Sequence, residues 1–408
     1  MVRSHSRKRV CSLLGMFSMS IAGFVFATQA SSEVLYKVHF KASNSDERSE
    51  VARYVHPDYM DETTAYSIVR EVDLRATLRG IPQRILKIEP MSVWTPDLGS
   101  LSGDIRFPKK DAAYHTPMQV VKELTRLAAL LPEQSELLSL GKTAEGNDIL
   151  GIRLAGDLSS SDTNSLMILG THHAREHIST EVPLLFVKHV AEDLNPQERT
   201  AFLKGKDIYI FPILNVDGVN YDLEGGKYKY WRKSRRDLGG EFGVDLNRNY
   251  SVHWQTGGNS TSKGSDVYRG PSPFSEPETQ AVKAFVEEHT NIKSMISFHS
   301  FSEVILYPWG GLKQDPPEQD RGTFESLAKD MAKFNGYGYG SAAKVMYVAS
   351  GETCDWAYKD HQIFCFTIEL SPKSALEGGF YPGSEIIKPT FEKNLGAIKI
   401  LAERTMGL

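Results

Sequence analysis

Three short apolar runs, each of strand length and each leading into a metal-ligating or acid–base side chain, set the strongest limits on this 408-residue chain. Ser165–Gly170 (Ser-Leu-Met-Ile-Leu-Gly) opens directly into Thr171-His172-His173-Ala174-Arg175-Glu176-His177. Ile292–Phe298 ends on His299, and Ile363–Ile368 ends on Glu369. A run without polar alternation is what a strand needs when both of its faces are covered. Strands and helices alternate from Pro117 to the end, which predicts one large α/β domain with a twisted central sheet and helices on both faces. In such sheets ligands gather beyond the carboxyl ends of the strands. Three strands that each deliver His or Glu there predict a site.

The chemistry those residues suit is that of a divalent metal. His173 and Glu176 lie close enough in sequence to grip one ion, and His299 supplies a third donor from far along the chain. Two His and one Glu with a position left for water is the ligand set of a catalytic zinc; a structural zinc takes four protein ligands, usually with Cys. No Cys lies near His173 or His299. Zinc acidifies a water and polarises a carbonyl, and Glu369 is placed to take and return the proton. The same letters hold a rival: His173-Ala174-Arg175-Glu176-His177 fits H-x-x-E-H, in which both His bind metal and the Glu is the base. That motif needs a helix, and the helical spacing here begins afterwards, at Pro183–Leu194.

The N-terminal region reads differently. Arg3, Arg7, Lys8 and Arg9 precede an apolar and small-residue run from Cys11 to Ala30, the pattern of a secretory signal over residues 1–30. An uncleaved anchor is the alternative; polar Ser and Thr interrupt a span near the lower length limit. Residues 31–90 then predict a compact α+β module, with strands at Val34–Phe40, Ala65–Val72 and Gln83–Ile88 and helices at Asp46–Tyr54 and Asp73–Gly80. Residues 91–111, with Pro96, Gly99, Gly103 and Pro108, read as a linker with a candidate cleavage site at Lys109-Lys110. The catalytic unit is residues 112–408. With 47 basic against 51 acidic residues and a net charge of −4, no basic field points to nucleic acid. No run past residue 30 reaches the roughly 18 apolar residues of a span, so no stable membrane anchor is expected.

Further motifs give the chain a family resemblance over about residues 112–408. Gly170-Thr171-His172-His173-Ala174-Arg175-Glu176 resembles the zinc box of the metallocarboxypeptidases of the carboxypeptidase A type, the M14 or funnelin peptidases, in which the His before Ala-Arg-Glu is the ligand. Asn215-Val216-Asp217-Gly218 is similar to that family's Asn-Pro-Asp-Gly turn. Tyr230-Trp231-Arg232-Lys233-Ser234-Arg235 resembles its Trp-Arg-Lys-Thr-Arg, and Gly243-Val244-Asp245-Leu246-Asn247-Arg248-Asn249 its Gly-Val-Asp-Ala-Asn-Arg-Asn. Met346-Tyr347-Val348-Ala349-Ser350-Gly351 and Phe366-Thr367-Ile368-Glu369-Leu370 complete the set.

The resemblance implies a mixed sheet, one Zn2+ on His173, Glu176 and His299, Glu369 as base and acid, and Arg235 as the partner of the oxyanion. It implies that Asn247 and Arg248 grip the substrate's terminal carboxylate, that Tyr347 closes over it, and that Arg232 binds substrate further out. A planar guanidinium suits a carboxylate, and a fixed cation suits a developing oxyanion. Asp245 is expected behind a zinc-bound imidazole, orienting it. Ser275-x-x-Glu278 is read as a capping box that starts the helix leading to His299.

For the side-chain pocket, the resemblance puts Cys354 at the floor and Glu352 on the wall. A small neutral Cys354 favours apolar terminal residues first, with Glu352 giving some acceptance of Lys or Arg. Cys365, Thr367 and Glu369 share strand parity, so Thr367 faces the substrate side. Cys354 and Cys365 are expected either to form a disulfide or to stay buried thiols. The expected protein is a secreted or periplasmic carboxypeptidase acting on peptide or protein C-termini. By the same resemblance, residues 31–90 are a pro-segment removed by an activating protease, or a stable accessory domain. A zinc-containing binding protein without turnover is the rival of a different class.

Overall fold

The computed structural model describes residues 35–43, 47, 59–60, 63–70, 74, 81–91, 104–160 and 163–408. The expected signal (1–30) and the two short helices of the N-terminal module lie outside the described residues, apart from Glu47 and Leu74. In that module the strands β1 (Leu35–Lys41), β2 (Tyr59–Met60), β3 (Thr64–Arg70) and β4 (Ile85–Met91) form one antiparallel sheet in the order β2-β3-β1-β4. Val38, Phe40 and Ile81 are its buried centre. Three of these strands match the expected ones; β2 is too short to leave a periodic signal.

The large domain contains β5 (Ser135–Lys142), β6 (Asp148–Ala155), β7 (Ser165–Leu169), β8 (Asp207–Phe211), β9 (Ile292–Ser300), β10 (Val304–Tyr307), β11 (Gly338–Ser341) and β12 (Phe364–Leu370). They make an eight-stranded sheet in the order β11-β10-β12-β9-β7-β8-β6-β5. β12, β9, β7 and β8 run parallel at its centre, while β10 against β12 and β6 against β8 and β5 run antiparallel. The sheet is mixed, as expected.

Its two faces explain the unbroken apolar runs. Along β7, Leu166 and Ile168 join one buried cluster and Met167 and Leu169 the other. The first cluster is covered by the helices at Pro117–Leu130, Ile178–Lys188, Glu318–Asn335 and Ile387–Thr405. The second is covered by those at Pro277–Glu288 and Thr353–His361. Leu124, Leu127 and Ile168 are fully excluded from water, and each such side chain stabilises the fold by roughly 1.5–3 kcal/mol.

Two local expectations need correction. The helix after the His-rich loop begins at Ile178, not Pro183, and passes into a π turn over His189–Asp193. Pro183 lies inside it, five residues past the start, which is why a Pro-initiated helix is the natural reading of the sequence. The capping box at Ser275-x-x-Glu278 does not form: the helix starts after Glu276 with no side-chain cap. Ser275 Oγ instead donates to Glu276 Oε1 (2.9 Å), and Glu278 turns inward to accept from the Ala144 N–H (3.1 Å).

The expected linker is not uniform either. Residues 92–103 lie outside the described residues, but Phe107 is buried against His177 and Tyr114, with ring centroids 4.9 and 5.3 Å away. Asp111, 1% exposed, accepts the Tyr228 hydroxyl at 2.7 Å, and the Lys110 carbonyl accepts from Ser384. Lys109-Lys110 thus sits on a 3-10 turn between two anchors. Phe107→Ala is expected to destabilise the large domain by about 3 kcal/mol, because it empties a buried aromatic site. A thermal or urea melt checks this, and a loss below about 1 kcal/mol would show that the segment is not part of the domain's core.

Candidate active site

The loop after β7 is positioned by backbone and amide contacts that tie together three segments. The Gly170 N–H donates to the Phe211 carbonyl (2.8 Å) and the Ala174 N–H to the Arg232 carbonyl (3.1 Å). Asn215 stands between them: Oδ1 accepts from the Gly218 N–H at 3.0 Å, while Nδ2 donates to the carbonyls of His172 (3.1 Å) and Lys233 (3.0 Å). A Cβ on residue 218 would lie 2.5 Å from Asn215 Oδ1, so this turn requires glycine. One asparagine thereby fixes the His-rich loop relative to the basic loop at 231–236.

On that frame His173, Glu176 and His299 converge, all buried. His173 Nδ1 is 2.8 Å from Glu176 Oε1, His299 Nδ1 is 2.9 Å from Glu176 Oε2, and the two Nδ1 atoms are 3.1 Å apart. His173 Nε2 faces Asp245 Oδ1 at 3.1 Å; the tautomer with its proton on Nε2, held by that carboxylate, is the one that leaves Nδ1 a lone pair toward Glu176 and His299. Burial lowers the pKa of His299, which keeps a lone pair on its ring as well. Its Nε2 contacts Ser297 Oγ at 3.0 Å. Two lone pairs and a carboxylate pointed at one another form a donor set that suits a divalent cation, and three protein ligands beside a cavity are the arrangement of a catalytic metal.

The neighbouring imidazoles are engaged elsewhere. His172 Nε2 contacts the hydroxyls of Tyr250 and Thr353, both at 3.0 Å, and its Nδ1 contacts Ser297 Oγ at 3.2 Å. His177 Nε2 pairs with Asp222 Oδ2 at 2.9 Å amid Phe107 and Tyr228. The H-x-x-E-H reading is therefore excluded: the loop is not helical until Ile178, and His177 points away from Glu176's partners.

The triad lines a cavity of about 340 Å³ together with Arg232, Asn247, Arg248, Tyr347, Glu352, Thr367 and Glu369. Parallel pairing of β9 and β12 sets Glu369 directly beside His299. Burial, and next the charge of Glu176, hold its carboxyl well above the usual carboxylate range. Asp245 organises the side behind His173. Its Oδ1 also accepts from the Asn247 N–H (3.0 Å), and its Oδ2 accepts from Arg232 Nε (2.9 Å). Burial pushes Asp245 up, but Arg232 and His173 outweigh it and keep the group ionised. Arg232 Nη1 lies 3.7 Å from Glu176 Oε1. Tyr347, 56% exposed, stands at the rim.

Two expected residues are not brought to the cavity. Arg235 does not line it: its guanidinium lies 3.7 Å from the Tyr221 ring centroid and 4.3 Å from that of Phe242, and it pairs with Glu145 at 3.8 Å. Of these two arginines Arg232 is the one turned inward, because its Nε, not that of Arg235, meets the buried Asp245. Cys354 does not line the cavity either. It forms a disulfide with Cys365 beneath Thr367, whose hydroxyl donates to Cys354 Sγ at 3.5 Å. Conversely, Ser300, Phe301, Leu306, Met346 and Phe380 line the cavity without having been expected there; Ser300 ends β9 just after His299, Leu306 lies on the short β10, and the others lie on loops with no distinctive spacing.

Comparison with known proteins agrees with this geometry. The zinc carboxypeptidase family (Peptidase_M14) matches residues 120–397. Zinc carboxypeptidase A 1 of Anopheles gambiae is 33% identical over 300 residues, covering 72% of this chain and 68% of the relative. Carboxypeptidase B of Astacus astacus is 32% identical over 299 residues, covering 71% of this chain and 96% of the relative. Among solved structures, bovine thrombin-activatable fibrinolysis inhibitor, in complex with tick carboxypeptidase inhibitor, superposes with a TM-score of 0.64 at 28% identity, over 72% of this chain and 98% of that one. The fold is thus shared with solved relatives, His173, Glu176 and His299 of this chain meet at one point, and the chain belongs to the zinc carboxypeptidases, metallo-exopeptidases that act at the C-terminus of their substrates.

Proposed function

We propose that this is an exported carboxypeptidase that hydrolyses the last peptide bond of peptides or proteins, with one Zn2+ held by His173, Glu176 and His299. When bound, zinc supplies a Lewis acid and makes water acidic enough to use near neutrality. The remaining work falls to side chains of this chain. Glu369, beside His299 on the adjacent strand, takes the proton of the attacking water and returns it to the leaving amine. Arg232, aimed at the cavity by Asp245, donates to the carbonyl oxygen as negative charge develops on it. Asn247 and Arg248 receive the terminal carboxylate, with Tyr347 closing from the rim. The observation that carries the reading is the convergence of three lone-pair donors at a cavity that also holds a separate carboxylate and two arginines.

The signal over 1–30 exports the chain, and the 31–90 module restrains the large domain until a protease removes it. Support for this is the charged-then-apolar N-terminus and the separate small core of the module. Residue release from a panel of peptides by the full chain, before and after limited proteolysis, tests the whole reading. Release is expected to rise at least about tenfold on processing and to fall at least about 10²-fold with a chelator, recovering with added Zn2+. Chelator-insensitive release would sink the metal assignment. Equal release before and after processing would sink the restraint.

A further inference from the structure

The terminal side-chain pocket contains a carboxylate whose counter-charge the substrate itself removes. Glu352 lines the cavity with its side chain 15% exposed, and it pairs with Arg248, Nη1 to Oε1 at a long 3.4 Å. The other acid of the same helical turn, Asp355, is differently placed. It accepts from the N–H groups of Gly310 (2.8 Å) and Gly311 (2.9 Å) and contacts His253 Nδ1 (2.9 Å), so its charge is met by the protein. The chain also makes room for Glu352: a Cβ on residue 310 would stand 1.9 Å from Glu352 Oε2.

An incoming C-terminus changes the balance at this spot. In the reading above, on which this inference rests, Arg248 turns its guanidinium to the substrate's carboxylate. Glu352 is then left mostly buried with its positive neighbour shared. An uncompensated carboxylate in a water-poor pocket is costly, and a substrate that brings its own cation relieves the cost. Leu306, Ala342, Met346 and Ala349 provide apolar wall for a methylene stem.

We infer that Glu352 selects substrates ending in Lys or Arg, pairing with the side-chain cation while Arg248 holds the terminal carboxylate. This reverses the apolar-first order expected from Cys354, which is locked in its disulfide and does not reach the cavity.

The test compares peptides identical except for a terminal Lys or norleucine, which share a carbon stem and differ in the charged tip. Assays run at pH 8.5, above the value of about 7 to which burial lifts Glu352. The processed enzyme is expected to prefer Lys by at least about tenfold in kcat/KM. Glu352→Gln is expected to bring the Lys-to-norleucine ratio to within about threefold of one, and Glu352→Asp to keep an intermediate ratio. If Glu352 merely orients Arg248, both peptides fall together and the ratio stays, which overturns the inference. Norleucine released as fast as Lys by the unaltered enzyme overturns it without any variant. Release from neither peptide nor from one ending in Phe overturns the carboxypeptidase reading along with it, so the two failures are distinct.

Discussion

Glu369→Gln is expected to lower kcat/KM by about 10³–10⁴-fold, equivalent to roughly 4–5.5 kcal/mol of transition-state stabilisation, while zinc content stays at one per chain. Both halves of that expectation follow from where the residue sits. Glu369 lies beside His299 in the strand register but is not one of the three converging donors. Removing its charge therefore leaves His173, Glu176 and His299 intact. Glutamine keeps the side chain's length and fits the same buried space, but it cannot accept a proton and pass it on. The kinetic loss should appear in kcat more than in KM, since a base acts in the transition state and not in ground-state binding. Hydrolysis of a blocked dipeptide together with metal analysis of the same sample checks it. Activity within tenfold of the parent would remove Glu369 from the mechanism, and loss of zinc would make it a ligand.

How far the sequence reveals this site depends on what holds each residue. The metal donors and the base are legible because they follow apolar runs whose composition is dictated by burial on both faces, as Leu166/Ile168 and Met167/Leu169 show on β7. Their direction is then set by strand parity, which also explains why Cys365, Thr367 and Glu369 share a side. Residues on loops carry no such constraint. Arg232, Lys233, Arg235 and Arg236 are four cations within five positions, and nothing in their spacing says which one turns inward. The choice is made by Asp245, buried and already engaged with His173, whose second oxygen reaches Arg232 Nε. Cys354 is a similar case: it lies in the first turn of a helix, where one residue's rotation decides between the cavity and the core, and the bond to Cys365 pulls it into the core. The packing of Phe107 and Asp111 was hidden for the opposite reason, since Pro and Gly around them read as linker although both side chains are buried.

Exchanging the two arginines' fates gives the sharpest check on that correction. Arg232→Gln is expected to lower kcat by about 10²–10³-fold, the loss of some 2.7–4 kcal/mol that follows removal of one donor to a developing oxyanion. Its guanidinium lines the cavity, is held by a bond of 2.9 Å to Asp245, and lies 3.7 Å from Glu176. Little of the loss should be structural, because Gln can still donate to Asp245. Arg235→Gln acts through packing. It removes a cation stacked between Tyr221 and Phe242 and the pair with Glu145, so a fall in stability of about 1–2 kcal/mol is expected with kcat reduced less than about tenfold. Measuring kcat, KM and the urea midpoint for both variants separates the roles, since each is expected to move the quantity the other leaves nearly alone. A deeper kcat loss in Arg235→Gln than in Arg232→Gln would return the oxyanion role to residue 235, and would mean that the basic loop rearranges when substrate binds. Asp245→Asn supplies the internal control. An amide at that position weakens the hold on both His173 and Arg232, so it should reduce zinc affinity and kcat together, which neither arginine variant is expected to do.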